Sequence, residues 1–326
     1  MELRWDIINA NLEKYIKKYY YVQGIIEECV LKLCDRIMNV YGKYGQNIDL
    51  RTCKIEYPFM EINESIEIVG KFYKSFDESL YNSYRNIIYD KEKTFIQLDK
   101  KEKSCVNNNK LYLCLEQNSS DIFTICHETA HAVFQSRFSQ DLVISMTYQL
   151  MFTEVNTITL EHLINEHIEE NNLRMLERVA DDFLKVILYM FINWITNVYK
   201  RNSKIDDKIF WGELNSIENP VVKNAFKKYL GIFLAKVQND KIYDQLLRSK
   251  YIIASALSAT LFKRFQSGAI TKEEYIKMMS DLNKIESFEE ALNILNLNYI
   301  ENSDILDTIE KDYDSCCEKF FNSRNR

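Results

Sequence analysis

The scarcity of glycine and proline is the feature of this sequence that most restricts its fold. The 326 residues include only 7 Gly and 2 Pro, the two residue types that interrupt helices and form tight turns. Such a chain favours long helices over a β architecture with many turns. Apolar residues recur at helical spacing from residue 7 to residue 37, and again over most of the chain after Asp121. Breaks in this pattern are predicted near residues 139–140, 171–172, 202–207, 219–220 and 266–268.

Three short segments have the apolar or alternating pattern of β-strands, namely residues 66–69, 94–98 and 111–115. The three asparagines at 107–109 are a turn signal, so residues 94–115 are predicted to form a hairpin. The predicted fold class is therefore mostly α, with a small sheet or hairpin beside the helix that begins at Asp121. We expect a mainly helical region over residues 1–90 and a second helical region over 91–326, which could also form one continuous domain with two lobes.

Charge and hydropathy argue against several classes of partner. The net charge is -6, and the Lys and Arg residues are dispersed among acids, so no basic tract predicts binding to nucleic acid. No segment reaches the ~18 uninterrupted apolar residues that a membrane span requires. The first six residues lack the basic start and apolar run of a signal peptide, so we expect a cytoplasmic protein. The 8 cysteines match no zinc-ribbon spacing and are expected to be reduced.

One motif carries recognisable chemistry, the run His127-Glu128-Thr129-Ala130-His131. His127 and His131 are four residues apart, so on a helix they lie on the same face, one turn apart. Two such imidazoles can occupy two corners of a tetrahedral zinc site. Zinc lowers the pKa of a bound water toward about 7, and Glu128 is placed to take that water's proton as general base. Two of the protein's 4 histidines lie in this motif, which predicts one zinc ion per chain.

The third protein ligand is expected to be a glutamate, because no histidine follows at the spacing that metzincins use. Glu154 is one candidate, and a second acid, Glu161, follows it seven residues later. Glu177 is the other candidate, and Asp181 follows it one turn later, where an acid could orient a ligand histidine. The residues by themselves leave both candidates open.

Residues 121–131 resemble the active-site helix of the thimet oligopeptidase and oligoendopeptidase F family of zinc peptidases, which are gluzincins. That family has an Asp six residues before the first His, then an apolar-Thr-apolar stretch and the zinc motif, and Asp121 stands at the corresponding place here. The family's glutamate ligand lies in a Glu-Val-small-Ser/Thr segment that carries another Glu seven residues on. Residues 154–161 match this segment. The resemblance therefore implies Glu154 as the third zinc ligand and Glu161 as a nearby supporting acid.

The sequence also departs from the family pattern. Ala130 stands where the family usually has Gly, and residues 104–109 replace a Gly-rich substrate loop. The family's segment rich in His and Tyr, which binds substrate and stabilises the oxyanion, aligns best with residues 241–251, and these contain no His. Tyr243 and Tyr251 are the remaining candidates for that catalytic role.

The resemblance implies a zinc peptidase that hydrolyses short or unstructured peptides, with Glu128 as the base. Residues 111–115 resemble the family's edge strand, along which a peptide substrate would lie by strand addition. Two alternatives stay open: a protease dedicated to the maturation of one peptide, and a pseudopeptidase that binds peptide without cleaving it. The intact Glu128 argues against the pseudopeptidase, because binding alone does not need a base.

Overall fold

The computed structural model describes residues 4–19, 24–45, 56–98, 102–107, 110–135, 146–168, 173–239 and 242–282, with part of the stretch from 290 to 318. These residues form a mostly helical protein with a three-stranded sheet, as predicted. Within these ranges, no helix combines the length and the apolar character needed to cross a bilayer.

The helices and strands have the following bounds. In the first half of the described chain they are α1 (Trp5–Tyr19), α2 (Gly24–Tyr44), α3 (Ile62–Phe76), α4 (Glu78–Ile88), β1 (Thr94–Leu98), β2 (Cys105–Asn107), β3 (Lys110–Leu115) and α5 (Asp121–Gln135). In the second half they are α6 (Met146–His167), α7 (Leu173–Asn202), α8 (Asp207–Ser216), α9 (Pro220–Gln238), α10 (Ile242–Gln266) and α11 (Lys272–Asp281).

Several predicted helix breaks coincide with the ends of these helices. Helix α7 ends at Asn202, α9 begins at Pro220 and α10 ends at Gln266. The breaks predicted near residues 139–140 and 171–172 lie outside the described residues. At Pro220 the local reason is clear: Asn219 caps α9 by accepting from the N–H of Val221, and proline fits the first turn because its missing N–H would have no helical partner.

The strand predicted for residues 66–69 is wrong, because these residues belong to α3. Ile66 and Val69 are both buried, and they are three residues apart on one face of that helix. A four-residue apolar run fits either a strand or a buried stretch of helix, so its pattern does not separate the two. The longer pattern of α3 identifies a helix, because its buried positions continue at helical spacing to Phe76.

The chain divides into two compact units. Unit 1 comprises Met1–Cys53, Met175–Ile253 and Ile300–Arg326, and unit 2 comprises Lys54–Arg174 and Ala254–Tyr299. Residue 90 lies within unit 2, and the predicted division of the chain at that point stays a prediction.

Unit 1 is held together by buried aromatic side chains. Phe191 is fully buried, and its ring lies 5.3 Å from that of Phe226 and 5.1 Å from that of Phe233. Trp194 continues the cluster to Phe210, at 5.6 Å between ring centroids. Aromatic pairs at these separations add stability beyond the area they bury.

The sheet of unit 2 has the strand order β1-β3-β2. β1 runs parallel to β3, with Thr94 opposite Leu111, whereas β2 runs antiparallel to β3, with Cys105 opposite Tyr112. The predicted strands at 94–98 and 111–115 both exist, but the hairpin predicted between them is wrong. The hairpin partner of β3 is the three-residue strand β2, which is too short to show an alternating pattern.

The same strand order overturns the prediction that residues 111–115 form an edge strand. β3 is paired on both sides, so the edges of the described sheet are β1 and β2. The alternation that identified β3 has a different cause: Leu111, Leu113 and Leu115 are buried on one face of the sheet, and the residues between them are more exposed.

Asp121 joins β3 to α5. Its two carboxylate oxygens accept three backbone hydrogen bonds from the connecting turn, from the N–H groups of Glu116 at 2.9 Å, Gln117 at 2.8 Å and Asn118 at 3.3 Å. The turn includes Gln117 with φ 57°, a conformation that side-chain-bearing residues seldom adopt. The buried Asp121 therefore fixes the point at which α5 leaves the sheet.

We predict that Asp121→Asn destabilises the protein by about 1–3 kcal/mol, because an amide offers one acceptor oxygen in place of two and leaves a backbone N–H of the turn unpaired. Urea unfolding of the metal-free protein measures this effect. Glu116→Gln is the matched control, since it changes an exposed carboxylate in the same turn, and we expect it to stay within about 0.5 kcal/mol of wild type. Equal stability of the two variants would contradict this role for Asp121.

Candidate metal centre

Helix α5 presents the two histidines of the motif on one face. The ring centroids of His127 and His131 lie 4.8 Å apart, with the ring planes at 81°. The helix is fixed behind them by fully buried side chains, including Phe123, Cys126 and Ala130. The hydroxyl of Tyr73, on α3, donates to the backbone carbonyl of Cys126 at 3.4 Å. The histidines are therefore carried by a helix that packing and a buried hydrogen bond hold in place.

Helix α6 contributes two acids to the same region. Glu154 and Glu161 are seven residues apart, which is two helical turns, and they are only 4% and 3% exposed. Carboxylates are seldom buried to this degree unless they are paired with cations, hydrogen-bond donors or a metal. Their burial indicates that this face of α6 is a polar site and not part of the apolar core.

Two further polar groups of α6 accept hydrogen bonds from neighbouring elements. Asn156 accepts at its side-chain oxygen from the hydroxyl of Tyr275 at 2.5 Å, and the carbonyl of Val155 accepts from Ser258 at 2.8 Å. Both donors lie in the second segment of unit 2. A helix that is buried on several sides has no single apolar stripe to set its orientation. The rotation of α6 about its own axis is therefore fixed by these hydrogen bonds.

The structure brings His127, His131 and Glu154 together as a group that can hold a metal ion. An oxygen of Glu154 lies 3.5 Å from Nε2 of His127 and 3.7 Å from Nε2 of His131, and all three ligand atoms lie within 4.8 Å of one another. Ligand atoms bonded tetrahedrally to zinc at about 2.0–2.1 Å are about 3.3–3.4 Å apart. Two imidazole nitrogens and one carboxylate oxygen at these separations fit zinc in both chemistry and spacing.

Glu161 orients the first of these histidines. Nδ1 of His127 lies 2.6 Å from an oxygen of Glu161, where it donates its proton to the carboxylate. This contact selects the tautomer that leaves the Nε2 lone pair of His127 directed toward Glu154 and His131. A carboxylate behind a ligand histidine is a common arrangement in metal sites, since it fixes the ring and raises its basicity.

The buried acids also shift proton affinities within the site. Burial raises the pKa of Glu128, and the carboxylates of Glu154 and Glu161 raise it further, although His127 and His131 oppose the shift. A raised pKa gives Glu128 the higher proton affinity that a general base needs near neutral pH. A bound divalent cation would lower this pKa again. The pKa of Glu128 in the metal-bound protein would therefore depend both on its surroundings and on the metal.

Burial lowers the pKa of His127, but the hydrogen bond to Glu161 and the surrounding carboxylates outweigh it, and the net shift is upward. The carboxylates therefore stabilise positive charge at this imidazole. The same negative potential favours a cation held between the ligand atoms.

Strand β2 lies next to the motif, which sequence reasoning did not anticipate. Burial raises the pKa of the Cys105 thiol, and the nearby carboxylate of Glu128 raises it further. Cys105 is exposed, so this edge strand meets solvent close to Glu128. The one signal available beforehand was the turn at 107–109, which would have predicted a strand on each side of it.

Three further residues were predicted from the sequence as candidates for the site, and the structure describes the side chain of only one of them. Glu177 lies on α7, and Tyr243 on α10, but their side chains are outside the described part of the structure. Tyr251 belongs to unit 1, where the ammonium group of Lys185 lies 4.9 Å from the centre of its ring. The roles predicted for these three residues stay predictions.

Comparison with known proteins identifies the fold. No protein-family model and no curated protein matches the sequence. Among solved structures, the chain is similar to a protein described as an oligoendopeptidase F from Bacillus anthracis, with 13% identity and a TM-score of 0.63 over 94% of this chain and 59% of that one. It is also similar to a protein described as a peptidase from Chlamydophila abortus, with 11% identity and a TM-score of 0.68 over 97% of this chain and 61% of that one.

A third similar structure is PZ peptidase A in complex with an inhibitor, with 13% identity and a TM-score of 0.52 over 98% of this chain and 59% of that one. The chain thus spans about three fifths of the length of each of these structures. Identities this low establish the fold alone. The chain has an oligoendopeptidase-like peptidase fold.

Proposed function

We propose that this chain is a zinc-dependent peptidase that hydrolyses short or unstructured peptides. The observation that carries the proposal is the group formed by His127, His131 and Glu154, with Glu128 next to it on the same helix. Binding of a metal explains the two histidines and the buried Glu154. It does not explain Glu128, whose position and raised pKa suit a proton acceptor.

The three ligand residues would hold zinc through two imidazole nitrogens and one carboxylate oxygen, with a fourth position left for water or substrate. Zinc bound there would supply a Lewis acid for the scissile carbonyl and an activated water at neutral pH. Glu161 supports the site by holding the ring of His127 in one orientation.

Glu128 acts on protons in this proposal. Its carboxylate accepts a proton from the attacking water and returns it to the amine nitrogen that leaves when the peptide bond breaks. Protonation at that nitrogen matters because an unprotonated amide anion is a very poor leaving group. The partial burial of Glu128 supports this role, since it limits competition from bulk water.

The substrate would lie along β2 and not along β3. The N–H of Leu111 donates to the carbonyl of Lys93, beside β1, at 2.8 Å. Backbone groups of successive residues point to opposite sides of a strand, so those of Tyr112 point toward β2, where they meet the backbone groups of Cys105. The peptide groups of the next residue of β2, Val106, therefore point away from β3. An extended peptide could pair with Val106 by strand addition, on the edge that lies close to Glu128.

The oxyanion formed during attack needs a hydrogen-bond donor in addition to the metal. We assign this role to Tyr243 or Tyr251, which remain in the segment that resembles the family's His- and Tyr-rich segment. A tyrosine phenol can donate a hydrogen bond of this kind.

The first prediction here concerns the metal. Protein purified without added metal should contain one zinc per chain by elemental analysis. Glu154→Ala should lose most of the zinc affinity, because two histidines alone hold zinc poorly. Glu161→Ala should weaken binding by about 10–100-fold, as is usual for a group that orients a ligand.

Two controls make this test specific. Glu166→Ala removes an exposed acid from the same helix and should leave zinc affinity unchanged. Glu177→Ala should also leave it largely intact. Loss of zinc in Glu177→Ala together with retention in Glu154→Ala would reverse the assignment of the third ligand, and absence of zinc with no uptake on titration would reject the metal site.

The second prediction concerns the base. Glu128→Gln keeps the size of the side chain but cannot accept a proton, so it should retain zinc while peptide hydrolysis falls by about 10²–10⁴-fold. A mixed library of short peptides, analysed by mass spectrometry, is a suitable assay because the specificity is unknown. If both wild type and Glu128→Gln bind library peptides and neither cleaves any, the chain is a pseudopeptidase.

The third prediction concerns the oxyanion donor. Either Tyr243→Phe or Tyr251→Phe should lower turnover by about 10²–10³-fold, with zinc content unchanged, because the lost hydroxyl would act only on charge that develops in the transition state. Tyr89→Phe is the control, since Tyr89 is 64% exposed at the end of α4. Full activity in both variants would show that the donor is another group.

A further inference from the structure

Helix α6 has buried polar side chains on several of its sides. Among the described residues of the helix there are six of them: Glu154, Asn156, Thr157, Thr159, Glu161 and His162. The hydrophobic effect is non-directional, so it favours burial of this helix without selecting one rotation about the helix axis. That rotation therefore depends on directional contacts with neighbouring elements.

The rotation of α6 decides where its two acids lie. A helix with its side chains is about 10–12 Å wide, so side-chain tips lie about 5–6 Å from the axis, and a rotation of about 10° moves them by about 1 Å. Metal–ligand distances vary by only about 0.2 Å around their normal values. The 3.5 Å between the Glu154 carboxylate and Nε2 of His127 can therefore suit a metal only if α6 is held firmly.

Several hydrogen bonds of α6 are poorly suited to hold it. Thr157 donates to the carbonyl of Glu154 at 3.0 Å, and Thr159 donates to the carbonyl of Val155 at 2.7 Å. Both bonds lie within the helix and turn with it. The hydroxyl of Ser258, on α10, lies 2.8 Å from the carbonyl of Val155, but it also lies 2.6 Å from a carbonyl of its own helix. Its single proton is shared between these two acceptors.

Tyr275 provides a short, directional contact from outside α6. Its hydroxyl donates to the side-chain oxygen of Asn156 at 2.5 Å, and the backbone carbonyl of Asn156 lies 3.3 Å away. Burial raises the pKa of Tyr275 well above its usual range, so the hydroxyl keeps its proton and acts as the donor. At about 100° per residue, Asn156 lies about 200° around the helix from Glu154. The bond therefore holds α6 on the side that faces away from the ligands.

Helix α11 fixes the position of Tyr275. The tyrosine ring is fully buried and lies edge-on to the rings of Phe76 and Phe265, each at 5.9 Å between centroids. The helix begins with a capping box, in which the side chains of Thr271 and Glu274 each accept from the backbone N–H of the other residue. Packing and the start of α11 therefore place the phenol oxygen independently of α6.

We propose that Tyr275 is a positioning residue for the candidate metal centre. Its hydrogen bond to Asn156 sets the rotation of α6. That rotation directs Glu154 toward the metal and puts Glu161 behind His127. Tyr275 acts through Asn156 and not by contact with metal or substrate. This role rests on the proposed function, since it requires that a metal binds between the two ligand helices.

The zinc affinity of the protein, measured in competition with a chelator, tests this role. Tyr275→Phe removes only the hydroxyl, and it should lower zinc affinity by about three- to tenfold, which is less than the 10–100-fold typical for loss of a group that contacts a ligand directly. With cobalt(II) in place of zinc, the visible absorption of the metal should change as well, because that absorption depends on the ligand geometry.

Tyr84→Phe is the matched control. Tyr84 is also buried, and its hydroxyl donates to the carbonyl of Ile66 on α3 at 2.7 Å. The same substitution therefore breaks a buried phenol hydrogen bond that reaches neither ligand helix. Tyr84→Phe should lose stability to urea but keep the zinc affinity and the cobalt absorption of wild type. An equal loss of zinc affinity in Tyr84→Phe and Tyr275→Phe would indicate a general effect of stability and would overturn the role of Tyr275.

Asn156→Leu provides a second test, in which stability and zinc affinity separate. Alone, it leaves the Tyr275 hydroxyl only the longer contact to the backbone carbonyl, and both quantities should fall. Combined with Tyr275→Phe, it replaces both partners by apolar groups of similar size, so stability should recover while zinc affinity stays low. Wild-type zinc affinity in this double variant or in folded Tyr275→Phe overturns the proposal. If wild type itself binds neither zinc nor cobalt, the proposed function fails and the role of Tyr275 fails with it.

Discussion

Two buried carboxylates of α6 face two histidines of α5, and the rest of unit 2 holds them in that position. Burial of an ionised carboxylate costs several kcal/mol unless positive charge or hydrogen-bond donors compensate it. Glu161 is compensated by the ring N–H of His127. Glu154 lies 3.5 and 3.7 Å from the two Nε2 atoms, separations that suit a shared metal better than direct hydrogen bonds. The electrostatics of the site are therefore those of a cation-binding group.

The elements around the site fix its geometry through contacts far from the ligand atoms. Asp121 closes the turn that leads from β3 into α5, and Tyr73 holds the backbone of α5 from behind. Tyr275 and Ser258 fix the rotation of α6 by bonding to Asn156 and Val155. Preorganisation of this kind lets ligand atoms keep a productive spacing without reorganisation when metal or substrate binds.

The sheet has two edges with different surroundings. The edge at β2 lies near Glu128, and the peptide groups of Val106 there point away from β3, whereas the edge at β1 is apolar, uncharged and exposed on both faces. β3 separates these two edges.

The sequence by itself determined what depends on local spacing. A spacing of four residues from His127 to His131 puts both rings on one helical face, and a spacing of seven from Glu154 to Glu161 does the same for the acids. Pro220 marks a helix start. Local spacing could not decide between Glu154 and Glu177 as the third ligand candidate, because the ligands of one metal come from separate helices. It also assigned residues 66–69 to a strand, and the family resemblance made residues 111–115 an edge strand, which is wrong for both segments. Strand order depends on which segments meet across the chain, and only the tertiary structure decided that β2 takes the position beside Glu128.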